Sequence, residues 1–189
     1  MEKLIELDKK VLLFFNGYHH EALDPLVLLI TQTVFWIPLY AFFIFLLFKH
    51  YKKNGWWFIV GAIVTILISD QVTASLMKPF FARLRPSQDP SLAGLVHLVD
   101  NYKGGLYGFA SSHAANTFGV SLFMWLSLRH VYRWIVLAFL WAGIMTYTRI
   151  YLGVHFPGDI LVGAAVGLMG GWIGYQVTQK LMSRKVELS

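Results

Sequence analysis

Three short stretches combine residue types that can do chemistry: KPFFARLRP at 78–86, GFASSH at 108–113 and TRIYLGVHFPGD at 148–159. They supply the cations Lys78, Arg83, Arg85 and Arg149, the imidazoles of His113 and His155, and one carboxylate, Asp159. Cations that outnumber their anions call for an anionic ligand. Phosphate fits well, because arginine forks grip its oxygens in pairs. Ser111 and Ser112 open a predicted helix, whose first N–H groups have no intrahelical partner and form an anion cradle. Two histidines can divide the work, one attacking and the other protonating the leaving group. Asp159, one helical turn beyond His155, can hold the second imidazole nitrogen and fix its tautomer. Taken singly, each stretch has a simpler reading. Basic residues at a span end meet lipid head groups; a histidine can be merely interfacial; Asp159 can cap a helix after a Pro157-Gly158 turn.

The elements that must position these residues are apolar helices. The chain is 57% hydrophobic and only 14% charged, where a soluble domain carries about 25% charge. Its charges gather in clusters separated by long uncharged runs, the pattern of an all-α, polytopic membrane bundle. Leu26–Phe48 carries no charge and, at ~1.5 Å rise per residue, reaches about 34 Å, enough to cross a bilayer, with Pro38 as a point of kinking. Further spans are expected over 56–77, 111–128, 134–148 and 160–179, giving five in all. Before them, Leu4, Leu7, Val11, Phe14 and Phe15 recur at helical spacing among charged residues. This predicts an N-terminal amphipathic helix at the interface. The whole chain, 1–189, reads as one membrane-embedded domain: an interfacial segment at 1–25, a bundle at 26–182 and an active-site loop at 78–109. Gly163, Gly167, Gly171 and Gly174 let another helix approach closely.

Composition also excludes. There is no cysteine, so disulfides and thiolate chemistry are absent. The net charge of +6 hints at nucleic acid, but the basic residues sit at span ends, and positive-inside topology explains them better. The 49–53 and 129–133 loops and the C-terminal tail hold half of the 16 Lys and Arg residues but only one acid, Glu187. They are therefore assigned to the cytoplasm, and the three polar stretches to the outer face of a plasma (inner) membrane.

The three stretches together resemble the signature of the type 2 phosphatidic acid phosphatase superfamily, which also contains the vanadium haloperoxidases. The first element of that signature is Lys, six residues, Arg-Pro, matched by Lys78, PFFARL and Arg85-Pro86. The second is Pro-Ser-Gly-His; here Ala110-Ser111-Ser112-His113 keeps the serine and the histidine. The third is Ser-Arg, five residues, His, three residues, Asp; Thr148-Arg149, IYLGV, His155, FPG and Asp159 keep all but the serine, and Thr148 keeps its hydroxyl. Ser112 in place of glycine keeps the backbone N–H but adds a side chain where phosphate would lie.

The resemblance implies a lipid phosphatase that needs no metal or other cofactor. His155 would be the nucleophile, Asp159 its orienting partner and His113 the acid–base group. Lys78, Arg85 and Arg149 would bind phosphate oxygens, with Ser111 and the N–H groups around Ser112 completing the cradle. The implied partners are membrane lipids and a lipid phosphate or pyrophosphate substrate, with undecaprenyl pyrophosphate, lipid A phosphate and phosphatidylglycerophosphate as candidates. Thr148 and Arg83 are expected as candidate supports of the site; for Arg83, which lies outside the signature, contact with a head group, a second phosphate or, most simply, lipid alone are the alternatives. Asp70, about two turns before Lys78, is expected to be a buried polar support, because an acid inside a span is costly unless paired. Asp89, His97 and Asp100 read as solvated loop residues. Rival readings are a lipid phosphotransferase, a non-catalytic anionic-lipid binder or transporter, and an inactive scaffold. The transporter explains the cations but not the spacing of His155 and Asp159.

Overall fold

The structure, a computed structural model, describes residues 2–187. Among the described residues there is no β-strand. One isolated bridge joins Leu84 to Tyr107 across the outer loop. The described residues form eight α-helices in order: α1 Glu2–Asn16, α2 Asp24–Ile30, α3 Ile37–Tyr51, α4 Gly55–Asp70, α5 Lys78–Phe81, α6 Ser112–Leu128, α7 Ala138–Tyr151 and α8 Pro157–Glu187. By length and composition, Thr33–Phe81, Arg133–Tyr151 and Pro157–Arg184 can each cross a membrane. The first of these runs reverses direction. Lys52 adopts φ 53°, α3 ends there, and α4 packs back along it.

The expected uninterrupted helix over Leu26–Phe48 does not form. The chain turns at Thr31 and Gln32 between α2 and the short 3₁₀ turn Thr33–Trp36. Thr31 is buried because its hydroxyl is needed elsewhere, as described below. Pro38 lies in the first turn of α3 and does not kink it; that position has no intrahelical N–H partner to lose. Helices form near the limits of the other four expected segments. The fifth extends beyond them in α8.

α6 is the axis of the bundle and packs against α4, α7 and α8. Phe123, Met124 and Leu128 of α6 meet Phe43, Leu46 and Leu47 of α3, Phe58 of α4 and Trp141 and Met145 of α7 in one apolar core. The glycine stripe serves the α6–α8 contact. A methyl group at Gly163, Gly167 or Gly171 would collide with the backbone of Ser111, Ala115 or Gly119. This close approach carries Ser111, at the start of α6, onto the start of α8: the Ser111 N–H donates to the Asp159 carbonyl at 2.9 Å.

α1 forms as predicted but presents an unexpected face to the protein. Leu12 and Asn16 are its buried residues, while Leu4, Leu7, Phe14 and Phe15 are exposed. Most of the apolar residues point away from the bundle, and polar side chains make much of the attachment beside one buried apolar anchor, Leu12, packed against Leu92 and Phe156. Asn16 Nδ2 donates to the carbonyls of His97, Ile150 and Tyr151, and Asn16 Oδ1 accepts from the His97 N–H.

Candidate active site

Four segments converge at one end of the bundle: the end of α4 with the loop after α5, the start of α6, the end of α7 and the start of α8. Between α4 and α5 the helix widens into a π-helical segment, Gln71–Met77, a distortion that often marks functional sites. It sets Thr73 and Lys78 toward α6, where both reach Ser112 Oγ, at 2.9 and 2.6 Å. α5 stops at Ala82, which adopts a left-handed conformation, and the chain turns so that Arg85 enters the protein and is buried.

His155 lies in the link between α7 and α8 and is buried. Its Nδ1 faces Asp159 Oδ2 at 3.4 Å, and the Gly108 carbonyl is a second acceptor beside it. Both neighbours accept, so the proton belongs on Nδ1. The opposite nitrogen, Nε2, then carries a lone pair, and Arg85 Nη1 donates to it at 3.0 Å. Burial first, and then the charges of Arg85, Arg149 and Lys78, hold His155 well below the usual histidine range. The imidazole is therefore neutral at physiological pH, with Nε2 available as a nucleophile. Gly108 leaves little room for a side chain. A Cβ there would come within 3.0 Å of Asp159 Oδ2 and 3.2 Å of Arg85 Cγ.

The three signature cations share one property: among the described residues, none forms a salt bridge. Arg85 spends Nη1 on His155 and on the Val154 carbonyl. Arg149, 2% exposed, donates to Thr31 Oγ1 at 2.6 Å and to the Tyr102 hydroxyl at 3.3 Å. The Nε atoms of both arginines are buried without a partner. Thr148 supports this arrangement indirectly: its hydroxyl donates to the Met145 carbonyl and to Thr31. Buried cations without counter-charge are costly, and an anionic ligand such as phosphate would supply the missing charge.

Ser111 caps α6, its hydroxyl accepting from the Ala114 N–H at 3.4 Å. The added side chain at Ser112 is directed onto Lys78 and Thr73. His113 is within electrostatic reach of Lys78, Arg85, Arg149 and His155. It also lines an apolar cavity of about 390 Å³ that runs between α3, α4 and α6 past Ile44, Ile63 and Phe123.

Other expectations are corrected. Arg83 does not face lipid. It bridges Asp159 Oδ1 at 2.9 Å and Asp8 Oδ2 at 2.6 Å and stacks over the Phe156 ring. Asp70 is half-buried, not buried, and forms no salt bridge among the described residues. Asp89 pairs with Lys9 of α1 at 2.9 Å, and His97 stacks on His19 while contacting Asp24; neither is a free loop residue. Asp100 is exposed, as expected. Thr31, Tyr102 and Asp8 were not singled out by the sequence. Each is an ordinary residue type far along the chain from the group it serves, and no local spacing announces it.

The PAP2 superfamily profile matches residues 54–183. A lipid A 4'-phosphatase of Bacteroides thetaiotaomicron is 40% identical over 97% of this chain and 82% of its own. One from Porphyromonas gingivalis is 39% identical over 97% and 78%. Among solved structures, Aquifex aeolicus LpxE superposes with a TM-score of 0.68 at 26% identity, covering 90% of this chain and 95% of that one. Two curated relatives, one solved structure and a profile that spans both histidines agree with the geometry: the chain belongs to the PAP2 superfamily.

Proposed function

We propose that this protein is an integral membrane phosphatase that removes phosphate from a lipid through a phosphohistidine on His155. The observation that carries this reading is the set of cations without salt bridges, Lys78, Arg85 and Arg149, gathered around a buried, neutral His155. The Nε2 lone pair attacks phosphorus, and the bond from phosphorus to the leaving oxygen breaks. His113 gives that oxygen its proton. A water molecule, deprotonated by His113, then attacks the phosphohistidine, and the N–P bond breaks to release phosphate and restore Nε2. Lys78, Arg85, Arg149 and the N–H groups that open α6 stabilise the charge on the phosphoryl oxygens in both steps. Asp159 holds Nδ1–H and balances the positive charge that develops on the ring.

The reading includes a topology of five crossings. α3 and α4 are the two legs of the first apolar run, and α6, α7 and α8 complete the set. α6 is short for a span, which suits a helix shielded by its neighbours. The site lies at the outer face, because basic residues favour the opposite, cytoplasmic ends and the C-terminus. The cavity beside His113 is apolar, as a phosphorylated lipid requires. Similarity to the two lipid A 4'-phosphatases favours the 4'-phosphate of a lipid A-type glycolipid as substrate, ahead of undecaprenyl pyrophosphate and phosphatidylglycerophosphate.

Phosphate release from these three lipids by the protein in detergent with EDTA tests the proposal. The expected result is metal-independent release, fastest from lipid A, and its loss in His155→Ala. Release that EDTA abolishes, or that survives His155→Ala, would contradict the mechanism. Preference for another lipid would overturn the substrate alone.

A further inference from the structure

Asp8 lies on α1, about 150 residues before Asp159, yet the two carboxylates share one guanidinium. Arg83 Nη2 donates to Asp8 Oδ2 at 2.6 Å and Nη1 to Asp159 Oδ1 at 2.9 Å. The Phe156 ring, 4.0 Å from the guanidinium carbon, closes one face of Arg83. Asp8 Oδ1 also accepts the Gly158 N–H at 2.8 Å, next to Asp159 in the first turn of α8. Asp159 is completely buried, and its Oδ2 is committed to the Phe156 N–H at 3.0 Å and to His155. Both of its oxygens are therefore aimed by neighbours, and Asp8 fixes one of them, Arg83, as well as the Gly158 N–H beside Asp159 in the chain.

We propose that Asp8 is a positioning residue, acting through Arg83 to set the charge and aim of Asp159 against His155; this rests on the phosphohistidine reading above. Charge counting gives the reason. Arg83 and Asp159 alone would cancel, leaving no net charge to oppose the cation that forms on His155. With Asp8 sharing the guanidinium, the Asp8–Arg83–Asp159 unit keeps one net negative charge beside the imidazole. The N-terminal helix thus belongs to the active site. Asn16, bonded to the His97 and Tyr151 backbone, anchors the C-terminal end of the same helix.

The test compares Asp8→Asn, Arg83→Gln, the double variant and the control Lys9→Ala in the lipid A assay. Asn keeps one acceptor for the Gly158 N–H, but turns its NH2 donor toward Arg83 Nη2, so it removes the charge together with the hydrogen bond to the guanidinium. Asp8→Asn should lower kcat about tenfold, a coupling of ~1.4 kcal/mol, with KM and Tm held. The double variant should be no slower than Arg83→Gln, and Lys9→Ala should retain kcat. Orthovanadate, which adopts the five-coordinate geometry of phosphoryl transfer, gives a readout that needs no lipid. Asp8→Asn should bind it about tenfold more weakly. An unchanged kcat and vanadate affinity would overturn the proposal, as would effects of Asp8→Asn and Arg83→Gln that multiply, or a loss that tracks Tm. If the wild type released no lipid phosphate, the functional reading would fall on its own, and the vanadate comparison would still decide the role of Asp8.

Discussion

Arg83 and Arg85 are two residues apart and have opposite surroundings. Arg83 lies between two carboxylates and over an aromatic ring. Arg85 is buried against His155 and a carbonyl with no carboxylate partner and an unpartnered Nε. A paired cation contributes to the fold, since each charge offsets the desolvation of the other. An unpaired one is a standing cost, and a protein keeps it where a ligand supplies the missing charge. Under the proposed mechanism the difference separates a residue that holds the site together from one that binds the substrate, although both are arginines on one loop.

The sharpest way to break that contrast is to remove each charge in turn. Arg85→Met should lower kcat/KM by about 10²–10³, the usual cost of deleting a group that stabilises transition-state charge. It should leave the Tm of the ligand-free protein unchanged or higher, because an uncompensated cation leaves the interior. Arg83→Met should do the reverse in stability. It strands Asp8 and the buried Asp159, and should cost about 1–3 kcal/mol once partial exposure of Arg83 is discounted. Thermal unfolding of the two variants side by side decides the matter; a stabilising Arg83→Met or a strongly destabilising Arg85→Met would dissolve the distinction.

A smaller effect is expected from Gly108→Ala. The added methyl crowds Asp159 and Arg85 together, and kcat should fall about tenfold while the bundle stays folded. The smallest concerns acid. His155 is held below the ordinary value when folded, so the unfolded chain takes up its proton first. Its contribution to stability is complete above about pH 6.5 and is lost as pH falls below it. Tm of the wild type should therefore decline more steeply below that pH than Tm of His155→Asn; parallel curves would refute the neutral assignment.

Much of the site was legible because its residues recur at fixed spacing within short stretches. One helical turn separates His155 from Asp159, and the start of α6 brings Ser111, Ser112 and His113 together. Helix packing was legible where a single residue type forces it, as in the glycine stripe of α8. What could not be read depends on distant contacts between ordinary residues. Thr31 breaks a uniformly apolar run because Arg149 and Thr148 need its hydroxyl. The π-helical segment before Lys78 has no compositional mark. Arg83 seemed free because its partners lie in α1 and α8. Periodicity found α1 but could not show that its polar side chains make much of the attachment to the protein.

The most direct test of the account is to stop the reaction within its first turnovers. Protein mixed with lipid A in EDTA would be quenched in alkali, where phosphohistidine survives, and its peptides analysed by mass spectrometry. A phosphoryl group on His155, absent from His155→Ala and accumulating in His113→Ala, is the predicted result. Turnover with no phosphorylated residue in either protein, or with phosphate on a residue other than His155, would contradict it.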